Sequence, residues 1–357
     1  MLAPLTTQIV GSYAKPEWLV NRDKSFNLDG SAWRIAPPHL DAARRDAALL
    51  AIYEQERAGL DLLTDGEALR PAYDRYFYSR LKGVDADTLG IRKTNNEEAV
   101  SPPRRDRAEQ LERVRSEVPR IVGPVEWPGP LSVDELIFAK RHTKKPVKVT
   151  VIGPLTSYAK MIDDYYHDEE KAISALADAL NAELRALDSA GADLLQIDEP
   201  SLTSSFSRCR RFGAAAIERV TAGLRAPVAI HVCYGYAYFH ETKTPNESYA
   251  DVLQLIASCA RVDAISIEYE QPGHQPDLLR HCGAKHVILG LLNLGTEAVE
   301  TPEHIARRLD AAARVVPPDR LHPASDCGMW HLAREAAFGK ISSLVKGTEI
   351  FRQKHRI

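Results

Sequence analysis

This chain has little of what would mark several common function classes. No run approaches the ~18 apolar residues that a bilayer-spanning helix needs. Basic residues are dispersed, and 46 Lys and Arg against 49 Asp and Glu leave a net charge of −3, which gives no support to a nucleic-acid or anionic-membrane surface. Cysteine is sparse and odd in number, five in 357 residues, which argues against a disulfide framework and for a reducing compartment. The opening MLAPLTTQIVGSY has no basic segment followed by an apolar one, so a soluble cytoplasmic protein is the expectation. No Gly-x-Gly-x-x-Gly loop opens a helix, and a dinucleotide fold finds no support.

What is present is a rhythm: a short apolar run ending in Gly or a polar residue, then an amphipathic stretch. Eight runs fit it, namely TQIVGS (7–12), LDLLTDGE (60–67), VKVTVIGP (147–154), ADLLQIDEP (192–200), PVAIHVCYG (227–235), VDAISIEYE (262–270), HVILGLLN (286–293) and RLHPASDCG (320–328). Eight strands alternating with helices predict an α/β fold, a (β/α)8 TIM barrel, as one catalytic domain over 1–357. Two helices are well marked. One starts at Asp168 as N-cap and stops at Gly191; the other has Thr301 as cap, Pro302 at its first position and Pro317 at its end. The spacing between the second and third runs is too long for a simple crossover, which predicts an insertion at about 84–146 over the barrel mouth. Within it, residues 93–107 read as an exposed loop, 118–130 as a β-ribbon and 131–143 as a helix. Ser12, Glu67, Asp198, His231, Cys233, Glu268, Asn293 and Cys327 all fall at run ends. A barrel would ring them around one cavity, whereas an open sheet would leave the outer ones far apart.

His231 and Cys233, two apart in a strand, point to the same face. Cys327 ends one further run and Glu268 another. Taken singly, each has a plain reading as a buried core residue. Together, an imidazole, two thiolates and a carboxylate form a set that suits tetrahedral zinc. Two thiolates and a carboxylate bring Zn²⁺ to about −1, a poor environment for polarising a carbonyl or acidifying water. A thiol bound to such an ion loses its proton and stays nucleophilic. Glu268, the hardest donor, is the ligand most readily displaced by incoming sulfur, its expected catalytic role. Cys209, Cys259 and Cys282 lack ligand-like surroundings and read as structural thiols.

In order and spacing, IVGSYAKPEWL, LLTDGEALR, VIGPLTSYAK, LLQIDEPSL, IHVCYGY, AISIEYE and SDCGM resemble the catalytic half of the cobalamin-independent methionine synthase family, over nearly the whole chain and closest to its short, single-barrel members. The resemblance implies zinc held by His231, Cys233, Glu268 and Cys327. It also implies a homocysteine pocket, with Ser12 on the carboxylate and Glu67 and Asp198 on the ammonium. The chain departs from the long synthases at two places. Ala159 and Lys160 stand where the aromatic residue that stacks folate is expected, unless Tyr158 substitutes. Asn293 stands in place of a histidine thought to move protons, and Asn cannot act as a general acid. Both departures disfavour folate polyglutamate as donor; short members are similar to enzymes that take methyl from a corrinoid or through a companion protein. Other relatives open epoxides with a thiol, as an epoxyalkane–coenzyme M transferase does, and a non-catalytic protein binding zinc and a thiol metabolite is a further alternative. His331 is expected one helical turn from Cys327, and Tyr234 and Tyr236 as walls of the pocket.

Overall fold

The computed structural model describes residues 2–25, 31–70, 75–92 and 102–357. In chain order its main elements are α1 (Pro37–Ala58), β1 (Lys82–Ile91), α2 (Ala108–Ser116), β2 (Glu117–Glu126), α3 (Val133–His142), β3 (Lys148–Ile152), β4 (Ile162–Asp163), α4 (Glu169–Ser189), β5 (Leu194–Asp198), α5 (Gly213–Thr221), β6 (Val228–Val232), α6 (Tyr249–Ser258), β7 (Ala264–Ile267), β8 (His286–Gly290), α7 (Pro302–Ala312), β9 (Leu321–Ala324) and α8 (Arg334–His355). This is an α/β fold around a parallel six-stranded sheet ordered β3-β5-β6-β7-β8-β9. The strands are near-continuous apolar runs because helices cover them, and nearly every strand residue is buried. Asp168 caps α4 by accepting the Lys171 N–H at 3.2 Å, and Gly191 follows the helix at φ 88°, as the sequence predicts. The second marked helix is shorter than predicted: α7 ends at Ala312, and the chain turns before Pro317 is reached.

The first two runs form no extended strand. Pro323 in β9 has no N–H to return to a neighbour, the Val10 N–H donates to Ser325 Oγ (3.0 Å) and the Thr7 N–H to the Asp61 carboxylate (2.9 Å). Single backbone bonds remain: Leu5 N–H to Leu321 O (2.9 Å), Gln8 N–H to Pro323 O (3.1 Å), Leu62 N–H to Thr7 O (3.1 Å), Leu63 N–H to Pro146 O (3.0 Å) and Lys148 N–H to Leu63 O (2.8 Å). Inside, Leu62, Leu194, Ala229, Ala264, Ile288 and Ala324 pack as one apolar layer. Two residues further along the same face of β5 and β6 stand Gln196 and His231, because strand side chains alternate.

Between the second and third runs, β1 and β2 pair antiparallel and β4 joins β2, which places the predicted ribbon, with α3 as the predicted helix. Of the predicted loop, 93–101 lie outside the described residues. Its remainder, 102–107, is exposed or half-buried, as predicted, and is tied to the loop after β6: Arg104 N–H donates to Phe239 O (2.7 Å), and His240 Nδ1 meets Pro102 O (3.1 Å). Among the described residues no helix is long and apolar enough to cross a membrane.

Candidate metal centre and amino-acid pocket

Register sets the site. Asp198 on β5 pairs with His231 on β6, and His231 pairs with Ser266 on β7. The Ser266 hydroxyl meets His231 Nδ1 at 2.9 Å, which fixes the ring and leaves Nε2, buried and without a hydrogen-bond partner. Cys233 lies just past the end of β6, and Cys327 in the turn after β9. That turn is pinned by Asp326, whose carboxylate accepts the N–H groups of Tyr269 (3.2 Å), Glu270 (3.0 Å) and Gln271 (2.6 Å). The donor atoms of His231, Cys233 and Cys327 lie within 4.8 Å of one another, and an orphaned buried nitrogen facing two sulfurs could hold a metal. A hydrogen bond from Cys327 holds the Cys233 thiol well below its usual range, and the same bond, with burial, pushes Cys327 well above it. Burial opposes protonation of His231, yet the closeness of Cys233 outweighs it and raises its pKa.

Glu268, expected as the fourth donor, is not part of that group. Its Oε2 accepts the Tyr234 N–H at 2.7 Å and its Oε1 pairs with the Lys243 ammonium. Both side chains of this ion pair are fully buried. Lys243 also donates to Gly235 O at 2.6 Å.

Ser12, Glu67 and Asp198 line one pocket together with His231, Cys233, Tyr236 and Cys327. Glu67 sits at φ 53°, in a turn where its N–H donates to Asp65 Oδ1 at 2.9 Å. Its Oε1 accepts the Thr150 hydroxyl (2.8 Å) and pairs with Arg70 (3.0 Å). Beneath Asp198 runs a buried polar chain: Lys148 Nζ donates to Gln8 Oε1 and to Gln196 Oε1, each at 2.9 Å, and Gln196 Nε2 donates to Asp198 Oδ1 at 2.8 Å. Burial pushes the Asp198 carboxyl up to about 7 and the Lys148 ammonium down to about 7.

Other expectations fare unevenly. Tyr236 lines the pocket, but Tyr234 turns away, bonded through its hydroxyl to His274 Nε2 (2.9 Å) and stacked on Tyr249. His331 is not on a helix: α8 begins only at Arg334, and His331 sits in the preceding turn with Nε2 against Leu294 O at 3.1 Å. Tyr158 lies outside the metal pocket, beneath the Arg208 guanidinium, in a separate cavity with Arg92 and Asp163. Asn293 is used in its own turn, its Oδ1 accepting the Gly295 N–H (2.9 Å) and its N–H donating to Glu300 (2.8 Å). Cys209, Cys259 and Cys282 are buried free thiols. Arg70, Lys148 and Lys243 were not singled out from the sequence. Arg70 stands three residues after Glu67 and Lys148 is a charge inside an apolar strand, both legible signals; Lys243 lies in an irregular loop with none.

Comparison with known proteins settles the lineage. Residues 5–349 match the family described as cobalamin-independent synthase, catalytic domain. The chain belongs to that family. The methionine synthases of Sulfurisphaera tokodaii and Saccharolobus solfataricus are 29% and 28% identical to it, each alignment covering 98% of this chain and 93% and 96% of theirs. Among solved structures, a B12-independent methionine synthase from Shewanella sp. W3-18-1, in complex with selenomethionine, is similar at a TM-score of 0.85 and 29% identity, covering 99% of each chain. A Listeria monocytogenes structure at 19% identity and a TM-score of 0.72 shares the fold. Membership of the cobalamin-independent synthase family makes this chain a methyltransferase.

Proposed function

We propose that this chain transfers a methyl group to the thiol of homocysteine, giving methionine, at a zinc site built from His231, Cys233 and Cys327 with Glu268 as the exchangeable carboxylate. The observation that carries the reading is the single pocket in which a nitrogen and two sulfurs meet Ser12, Glu67 and Asp198. One imidazole nitrogen and two thiolates are donors that favour zinc over magnesium or calcium. Zinc bound there would lower the pKa of a substrate thiol and leave its sulfur nucleophilic. The chain's own groups do the rest. Asp198 and Glu67 offer acceptor oxygens to the ammonium, and Ser12 offers its hydroxyl and N–H to the carboxylate. The burial of all three excludes water around the sulfur. As the sulfur–methyl bond forms and the donor–methyl bond breaks, Glu268 already has partners in Tyr234 and Lys243.

We read the eight runs as a closed (β/α)8 barrel and the whole chain as one domain, supported by the backbone bonds that bridge β9, the first two runs and β3. The stretch 84–146 reads as an insertion at the mouth, supported by the contacts of Pro102 and Arg104 with the loop after β6. Free thiols support a cytoplasmic setting. The donor is read as a corrinoid or companion-delivered methyl rather than folate polyglutamate, because neither Tyr158 nor Asn293 presents the expected group to the pocket. A sulfonated thiol would call for a basic lining, and among the described residues the lining includes acids but no Lys or Arg, which favours homocysteine over an epoxide-opening thiol transferase. Single-turnover assay of zinc-loaded protein with homocysteine and methylcobalamin, methyl-folate or an epoxide tests this. Methionine from the first supports the reading. A thioether only from the epoxide overturns the substrate, and no thioether from any donor, alone or in cell extract, overturns the enzymatic reading.

A further inference from the structure

Lys148 opens β3 with a charge that the apolar interior gives no obvious reason to keep. Its side chain is buried, and among the described residues its ammonium pairs with no carboxylate; it donates instead to Gln8 Oε1 and Gln196 Oε1, each at 2.9 Å, and to Ile9 O. An ammonium has three donors and no acceptor, so all three are spent and each amide facing it has to present its oxygen. For Gln196 this decides what happens at the other end of the amide. With Oε1 on Lys148, Nε2 faces Asp198 and donates to Oδ1 at 2.8 Å. Gln8 meets the same demand at a cost, since its own Nε2 is buried without a partner. Asp198 Oδ2 accepts no hydrogen bond from the described residues and is left to the pocket that Asp198 lines. Two residues along β3, Thr150 points to the same side, and its hydroxyl holds Glu67 Oε1 at 2.8 Å. One strand thus reaches both acids of the pocket.

We propose, resting on the amino-acid pocket read above, that Lys148 is a positioning residue for substrate recognition: through Gln196 it commits one oxygen of Asp198 and keeps the other turned to the substrate ammonium. A flipped Gln196 amide would set Nε2 against the Lys148 ammonium and Oε1 against the Asp198 carboxylate, losing both charge-assisted bonds together. An apolar residue at 148 imposes no such choice, and Asp198 then loses its fixed anchor. The residue that selects amino-acid thiols over other thiols is therefore reached from a lysine that never touches the substrate.

Calorimetric binding of homocysteine and of 4-sulfanylbutanoate, which lacks only the amino group, to the zinc-loaded whole chain tests this. The readout is the preference for the first over the second, which general damage to the pocket leaves unmoved. The wild type is expected to prefer homocysteine by at least about a hundredfold, as a site built around a polar group does. Lys148→Met and Gln196→Met should each lower that preference about tenfold, the worth of one charge-assisted hydrogen bond, with affinity for 4-sulfanylbutanoate held within about threefold. Because Lys148 acts through Gln196, the double variant should fall no further than Gln196→Met alone. Should Lys148→Met not fold, Gln8→Met with Lys148→Met removes an acceptor the single change leaves orphaned and is expected to show the same loss. Asp198→Asn separates the two readings. A loss of preference in Asp198→Asn beside a wild-type preference in the Lys148 variants overturns the proposal and leaves the pocket standing, as do additive losses in the double variant or equal weakening of both thiols. A wild type that binds the two thiols alike, or neither, overturns both.

Discussion

Replacing Gly11 by alanine tests the placement of Glu67 more sharply than replacing Glu67 itself. A Cβ built on Gly11 falls 2.4 Å from Glu67 Oε1 and 2.9 Å from Thr150 Cγ2, about 1 Å inside the ~3.5 Å at which heavy atoms pack best. The carboxylate has to move by about that much. It cannot do so and keep both the 2.8 Å bond from Thr150 and the 3.0 Å pair with Arg70. Losing one charge-assisted bond costs about 1.5–3 kcal/mol, and overfilling a packed interior typically costs 1–3 kcal/mol. Together these predict a destabilisation of about 2.5–6 kcal/mol. If Glu67 holds the substrate ammonium as proposed, its displacement should raise the KM for homocysteine at least tenfold, the equivalent of about 1.4 kcal/mol. Urea unfolding and steady-state kinetics measure the two effects. Gly347→Ala is the control: its Cβ would meet Ile305 Cβ at 2.6 Å between α7 and α8, far from the pocket, so it should lose stability with KM unchanged. A Gly11→Ala enzyme with wild-type KM would refute the assignment of Glu67 to the ammonium, however much stability it lost.

Two further outcomes follow from buried ionisable groups. Asp198→Asn should raise the homocysteine KM tenfold or more with a smaller effect on kcat. In the wild-type protein homocysteine affinity should fall as pH drops below about 7, because burial holds the Asp198 carboxyl at about 7 and its protonated form cannot pair with an ammonium; the Asn variant should lack that dependence. His322 is buried, which together with the charge of neighbouring His286 lowers its pKa to about 3. The unfolded chain takes up this proton near 6.5 and the folded chain does not, so the stability His322 provides is complete above pH 6.5 and is lost as pH falls toward 3. Urea midpoints between pH 7 and 4 should decline less steeply in His322→Gln, by up to about 1.4 kcal/mol per pH unit, and equal slopes would contradict the assignment.

The apolar runs and their polar ends were legible because parallel strands covered on both faces demand continuous burial, while their carboxyl ends are free to carry chemistry. That is why His231, Cys233, Cys327, Asp198, Glu67 and Ser12, scattered over more than 300 residues of sequence, converge in one pocket. What failed was anything decided across space rather than along the chain. Pro323 removes a donor from β9, so its neighbour, the first run, is held by single bonds and side chains rather than a ladder; the apolar pattern of TQIVGS carries no sign of that. His331 was placed on a helix by counting from Cys327, yet the helix begins only at Arg334, after a turn that packs Trp330 against Tyr236 and Tyr238. Lys243 shows the limit most clearly. A lysine in HETKTPNES has the composition of a solvated loop, and only the fold shows that this loop returns to the Glu268 carboxylate. Strand periodicity can therefore name the polar groups that end the strands, while a group that pairs with one of them can sit on an irregular loop, where position is set by tertiary contacts such as those of Gln271 and Pro102 with His240.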